Sequence, residues 1–512
     1  MFRRLKATKD CYITNKIIRN KFRATDANTG EAATLDFFKL YNENSIDGED
    51  ESIELTRTLI KFDLNPLRAL TGSILDYTSN TFKCTVKLYD VYGGQTLPSN
   101  FNLILFPLSQ SFDEGVGRDV ITFQDIDSAN FITASTLGET ATAWFHTGAN
   151  KQGLLGSDDI DIISSGNLGD GRGVKIIAVS QSFSNGTENL SMDVTKIVSA
   201  TLAGQIPDYG FRLSFSGTQE TDAKTRFVKR FSSRHNSNTR KHPRLEVKFN
   251  DAVQDHHEAF FFNLTGSIFI NNFARGEPAY LVSGSRLLKV SGSDCLLVKL
   301  QSGSFEKTVS GSSLSFGTSF VTGVYSATFA IDSFNTSIVS GTTTVADYVR
   351  DSGSMNFDVF WKSIDHSVGY HTGNLNIKKQ ETTGFKNSPQ RFEVNITNMK
   401  PIYGPDETVR LRCVAYDADE KVKASKLPLY RVSEIVTQAH YRIRDAYSDE
   451  IIIPFDTVDN STLMSTDSEG MYFDIYTNDF SMGRVYTIDV LFNRTNRDQI
   501  FLDAGGTFRI DP

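Results

Sequence analysis

The stretch FVKRFSSRHNSNTRKHPRLEVKF, residues 227–249, sets Lys229, Arg230, Arg234, Arg240, Lys241, Arg244 and Lys248 against one acid, Glu246, in a chain whose net charge is −8. Two readings compete: a nucleic-acid surface, or a strand, a polar loop and a second strand. Periodicity favours the second. Leu245, Val247 and Phe249 alternate with Arg244, Glu246 and Lys248, the pattern of a strand with one buried and one wet face. Pro243 suits a strand entry. No stacking aromatics interleave with the loop cations, as single-strand binding would need. The stretch therefore reads as a hairpin whose basic residues sit on outward positions and in the loop, with no nucleic-acid partner.

The same alternation runs through the chain. It appears in FKCTVKLYDV (Phe82, Cys84, Val86, Leu88 inward), GFRLSFS (Phe211, Leu213, Phe215), VRLRCVAY (Val409, Leu411, Cys413, Ala415 inward, Arg410 outward) and YTIDVLF (Tyr486, Ile488, Val490, Phe492). Each predicts a strand with one covered face. Thirty-eight phenylalanines, punctuated by Gly, Ser, Thr and Asn, fit packed sheets joined by turns. Helical periodicity is confined to short pieces such as VTKIVSATL, 194–202. The fold class is all-β, built of sandwiches.

With 512 residues, about three domains are expected. The predicted cuts fall near 253, in AVQDHHEA, and near 388, in KKQETTGFKNSPQ, giving segments 1–252, 253–388 and 389–512. The four cysteines, Cys11, Cys84, Cys295 and Cys413, form no CxxC pair and give no zinc signature or dense disulfide framework; they read first as buried free thiols, with two disulfides as the alternative. MFRRLKATKDCYITNKII lacks an apolar core, so no secretory signal is expected, and no apolar run is long enough for a membrane helix. A soluble chain made in the cytoplasm is the expectation, with no membrane partner.

No catalytic set is legible: no GxSxG, no HExxH, no phosphate-binding loop. The glycine-rich GNLGDGRG, 166–173, is followed by a strand pattern and reads as a turn. His256, His257 and Glu258 could contribute to a metal site but read as linker. Trp144, Phe145 and His146 could form a sugar-stacking platform but read as a buried aromatic cluster. The acidic loops Asp26–Gly30 and Asp158, Asp159 and Asp161 carry oxygens at alternate positions, as calcium loops do, but read first as Asx-turns. The run 42–54 holds six acids and no base and reads as an acidic loop, with a basic partner within the chain as the lesser alternative. No catalytic, cofactor-binding or metal residue is assigned, and no enzyme activity is expected.

Landmarks in the first 250 residues, in order, carry a resemblance: KDCYITN with DANTGEAATLDFFKLY, RTLIKFDLNPL, CTVKLYDV, SFDEGVGRD, TAWFHTGA, MDVTKIVSATLAGQIPDYGFRLSF, and finally KRFSSRHNSNTRKHPRLEVKF. Together they resemble the DNRLRE-type domain, a jelly-roll sandwich related to carbohydrate-binding modules. In that resemblance 227–249 is the closing hairpin. The second half, through FVTGVYSATFAI, MKPIYGPDETVRLRCVAY and MYFDIYTNDFSMGRVYTIDVLF, is similar to immunoglobulin-like modules. Most exported members of the DNRLRE-like family begin with a signal peptide. A chain without one, continuing into immunoglobulin-like domains, looks like a bacteriophage virion structural protein. The resemblance implies a non-enzymatic component of tail, baseplate or neck. It would be located in the virion and partnered by other virion proteins, as a homo-oligomer or multi-copy ring. A glycan-binding adhesin with Trp144, Trp361 and tyrosines on one face, or a capsid-decorating protein, are its alternatives.

Overall fold

A computed structural model describes every residue except 47–49, 125–126, 137–139, 170, 172, 285–287, 380–390, 420–432, 494–497 and 512. Strands hold 47% of the chain and helices 7%, so the fold is all-β. The chain packs as two units. One comprises Phe2–Arg68 and Phe82–Lys248, the other Met1, Ala69–Thr81 and Phe249–Pro512. The expected cut near 388 lies outside the described residues.

In the first unit the strand Phe2–Thr14 belongs to two sheets. Its first half, Phe2 to Lys6, pairs antiparallel with Arg244–Lys248, which pairs in turn with Lys83–Leu88 and, beyond it, Leu190–Asp193. After a register shift between Ala7 and Lys9, its second half pairs with Ile53–Phe62. That strand leads on to Phe211–Phe215, Phe101–Pro107 and Val179–Phe183. A bulge bends and twists a strand, which lets one strand turn the corner between sheets. A third pairing joins Thr34–Tyr41 to Arg226–Ser232. An aromatic row runs through this interior: Phe37 meets Phe231, Phe231 meets Phe183, and Phe183 stacks on Phe101 at 4.8 Å.

The hairpin predicted at 227–249 is present as two strands, but they do not pair with each other. Arg226–Ser232 pairs with Thr34–Tyr41, and Arg244–Lys248 lies between the first strand and Lys83–Leu88. The connection crosses between sheets, as jelly-roll strands do. Helix Thr195–Leu202 forms where VTKIVSATL indicated it.

In the second unit, seven strands make one sheet, in the order 260–261, 369–378, 354–362, 296–302, 305–316, 319–330, 265–271. Phe260 on its first strand stacks at 4.9 Å on Phe329 of the strand next to its last, so the sheet curls back on itself around Trp361, Tyr325 and Phe357. Helix Val345–Ser352 packs on this core through Val345 and Val349. Thr344 caps it, accepting from the Asp347 amide at 3.2 Å. Thr-x-x-Asp is a capping-box spacing that marks a helix start in sequence.

The C-terminal strands form two sheets. One runs Phe392–Ile396, Thr408–Asp417, Gly470–Tyr476, Ser465–Asp467, and the other is centred on Val485–Phe492 beside Ala439–Asp445. Tyr441 stacks on Phe473 at 4.2 Å and Phe392 meets Phe492 edge-on at 5.5 Å, so the two sheets face each other as a β-sandwich. Residues 253–255 dock on this sandwich: Thr466 donates its amide to Val253 O at 2.9 Å and its hydroxyl to Asp255 O at 2.8 Å.

Two strands depart from simple alternation. Phe211–Phe215 is buried on both faces, with Arg212 and Ser214 enclosed beside the phenylalanines. In Val485–Phe492, Thr487 and Asp489 are enclosed as well. Each is an interior strand with a covered outer face, which a period-two pattern cannot show. Val409 is half-buried rather than enclosed, whereas Leu411, Ile488 and Val490 are fully enclosed.

Leu411 and Arg410 test this register. Leu411→Ala is expected to lower stability by about 2–5 kcal/mol, the range for a large-to-small core change. Arg410 makes a bidentate pair with Asp474 at 2.9 Å, with its side chain half exposed. Arg410→Ala is therefore expected to cost under about 1 kcal/mol. Denaturant unfolding of the full chain checks both, and equal losses would mean a wrong register.

Candidate functional site

The cations of 227–249 are not the exposed loop charges that alternation suggested. Lys229 is fully buried, pairs with Asp90, donates to Glu188 O at 3.0 Å and lies 4.6 Å from the Phe231 ring. Its burial lowers its pKa, and Asp90 opposes that shift. Lys241 donates to Asp90 O at 2.9 Å. Arg230 pairs at 3.1 Å with Asp36, the residue opposite it across the strand pair. Arg244 is buried, bonds Arg240 O and lies 4.5 Å from the Tyr89 ring. The reading of the basic residues as outward positions and loop charges is therefore corrected for Lys229, Lys241 and Arg244. A strand's own alternation says nothing of the acids that neighbouring strands bring opposite it.

Arg234 leads to the densest of these contacts. It is assembled from three landmarks far apart in sequence. Asn28, in DANTG, is fully buried. Its Nδ2 donates to Glu114 O and Ala129 O at 2.8 Å each, and its Oδ1 accepts from the amides of Gly30 at 3.1 Å and Gly117 at 2.8 Å. DANTG and EGVG thus close on each other so tightly that a Cβ at Gly117 would sit 2.1 Å from Asn28 O, and one at Gly30 would sit 2.1 Å from Glu114 O. Only glycine fits such an approach.

That closure holds the Glu114 carboxylate over the outer edge of the first strand. Oε1 accepts from the Asp10 amide at 2.8 Å and from Arg234 Nε at 2.6 Å, and Oε2 accepts from Arg234 Nη2 at 2.6 Å. His235 Nε2 lies 3.4 Å from Oε1. The Asp10 side chain accepts the Arg234 amide on Oδ2 at 2.7 Å, while its Oδ1 is buried with no hydrogen-bond partner. Burial, reinforced by the neighbouring Glu114 charge, raises the Asp10 pKa to about 7, against the opposing pull of the Arg234 amide and guanidinium. One oxygen each of Asp10 and Glu114 and a ring nitrogen of His235 lie within 4.8 Å of one another.

The sequence assigned none of these three as ligands, although each stood inside a quoted landmark. The residues it did weigh are placed elsewhere. Trp144 is buried, donating Nε1 to Asn130 O at 2.9 Å, with Phe145 exposed beside it. Trp361 is buried in the middle sheet. Neither tryptophan offers an exposed stacking face. Asp161 is fully buried. Its Oδ1 accepts from Gln110 Nε2 and the Phe145 amide, and its Oδ2 from the His146 and Lys151 amides, so it fastens a loop as an Asx-type anchor. His256 Nδ1 accepts the Ser267 amide at 3.2 Å, and the His257 amide goes to Asp255 at 2.9 Å. In the acidic run, Glu54 is buried and accepts the Ile17 amide at 2.7 Å, and Glu43 accepts from Thr225 at 2.7 Å; residues 47–49 lie outside the described residues. Strands Ile162–Asn167 and Val174–Ile176 pair antiparallel across GNLGDGRG, whose Asp170 and Arg172 lie outside the described residues. All four cysteines are free thiols, with Cys295 partly exposed.

No family model and no curated protein sequence matches the chain. Among solved structures it is similar to a C-terminal 282-residue fragment of intimin, solved with the intimin-binding domain of the translocated intimin receptor. Identity there is 11%, over 47% of this chain and 58% of that one, with a TM-score of 0.11. It is also similar to the BSP domain of a biofilm associated protein, at 11% identity over 95% and 68% with a TM-score of 0.15. A third is trypsin-activated alpha-2-macroglobulin from Escherichia coli, at 8% identity over 90% and 23% with a TM-score of 0.15. The chain thus spans less than two thirds of the intimin fragment and under a quarter of the macroglobulin. Likenesses this weak carry no argument, and the all-β assignment stands on the strands themselves.

Two measurements check the electrostatics. Lys229→Ala leaves Asp90 without its buried partner and is expected to cost about 3–5 kcal/mol, whereas Lys224→Ala, at an exposed position, stays within about 0.5 kcal/mol. Asp10 holds its proton more tightly folded than unfolded, so its contribution to stability is complete below its unfolded pKa, near 3.8, and is lost as pH rises through about 7. In EDTA, wild type should therefore lose stability relative to Asp10→Asn between pH 5 and pH 8, both values chosen to bracket that interval. A constant difference across that range would refute the assignment.

Proposed function

We propose that the chain is a non-enzymatic structural protein of a bacteriophage particle, in tail, baseplate or neck, that works through contacts with other virion proteins. It is present there in several copies. The observation that carries this reading is the meeting of DANTG, EGVG and FSSRH in one place. These are three landmarks of the DNRLRE-like resemblance, and in space they form a single fastening around Asn28, Glu114 and Arg234. Landmarks that only happened to fall in the right order would have no reason to interlock through glycines that nothing larger could replace. The continuation into further β-sandwich architecture fits modular attachment proteins of particles. The inward use of the basic residues of 227–249 supports a partner other than nucleic acid, since phosphate binding needs free cations. Burial of both tryptophans weakens the glycan-binding alternative.

Mass spectrometry of particles purified by density gradient is the test. The chain is expected in the particle fraction at multi-copy stoichiometry to the other structural proteins. Recovery only from the free protein fraction of the lysate would overturn the proposal.

A further inference from the structure

We propose that Asp10, Glu114 and His235 bind a divalent transition-metal ion of the zinc class, which fastens the first strand, the EGVG loop and the turn after Arg226–Ser232 to one another. Three observations point there. The first is donor chemistry. Two carboxylates and an imidazole bring ligand atoms within 4.8 Å of one another, and a set that includes an imidazole suits zinc-like ions better than calcium or magnesium.

The second is spacing. His235 Nε2 lies 3.4 Å from Glu114 Oε1, long for a hydrogen bond. Two ligands bound at roughly 2.1 Å in a tetrahedral site stand about 3.4 Å apart. The third is Asp10 Oδ1, a fully buried carboxylate oxygen with no hydrogen-bond partner, which is costly to leave in that state. The same carboxylate is held by the Arg234 amide on Oδ2, and Glu114 is held by Arg234 Nη2 on Oε2. Such supporting contacts orient metal ligands from behind. They also leave Asp10 Oδ1 unoccupied, while Glu114 Oε1 keeps its bond to the Asp10 amide and would exchange the Arg234 Nε contact for the ion. His235 must be neutral at Nε2 to bind, so its other nitrogen would carry the proton. Water completes the coordination.

The test uses the full chain, stripped with EDTA and titrated with zinc chloride and, separately, calcium chloride by calorimetry, with thermal melts in parallel. A saturable zinc site and a raised melting temperature are expected, with much weaker calcium binding. Asp10→Asn, which is isosteric, and His235→Gln, in a partly exposed loop, should each weaken zinc binding by at least about tenfold, a loss that even supporting residues of metal sites commonly show. Circular dichroism confirms that each variant is folded. Absence of zinc binding by the wild type would overturn the proposal. So would undiminished binding in both folded variants, which would place zinc elsewhere, or calcium bound as tightly as zinc, which would remove His235 from the site.

Discussion

The N-terminal unit depends on how one strand edge is closed. After the shift at Ala7 and Lys9, the strand Phe2–Thr14 pairs on one side with Ile53–Phe62, and its other side is left as the end of that sheet. An open edge carries unpaired amides and carbonyls that would recruit another chain or remain unsatisfied. Here side chains close it. Glu114 accepts the Asp10 amide, and Thr29 both accepts the Tyr12 amide at 3.1 Å and donates to the Tyr12 carbonyl. The DANTG and EGVG loops are placed by that requirement. Their mutual packing through Asn28 keeps Thr29 and Glu114 at the edge.

The same closure creates an electrostatic problem. A buried carboxylate stands beside the capping one, and Arg234 opposes both. Two other buried cations of the unit are matched to acids. Arg57 makes a bidentate hydrogen-bonded pair with Glu220 at 3.0 and 2.8 Å, and Lys229 is matched to Asp90. The cluster at Asp10 has one more acid than cation, and there the structure holds an oxygen without a partner. An acidic chain can thus concentrate basic residues in one segment, because acids from elsewhere in the unit pair with them.

The C-terminal sandwich solves burial of charge in a parallel way. Asp489 is fully enclosed in an interior strand, yet its Oδ2 accepts from Arg442 and Arg444 and its Oδ1 from the Asp503 amide. The aromatic contacts between its sheets supply the apolar half of the same core.

Local pattern determined what local pattern can determine. Alternation marked the strands 82–88, 211–215, 245–249, 409–415 and 486–492, and the short period at 194–202 marked a helix, because each depends only on which neighbours along the chain share a face. The order of motifs carried the resemblance to a jelly roll. What the tertiary structure alone decided is partnership. Arg230 and Lys229 look alike in sequence, but one meets Asp36 across a strand pair while the other is sealed against Asp90 and Phe231. Asp10, Glu114 and His235 are separated by more than a hundred residues at each step and bear no common spacing, so no motif could have joined them. They meet because a bent strand needs its edge closed, and the loops that close it, 26–30 and 114–117, lie far apart along the chain.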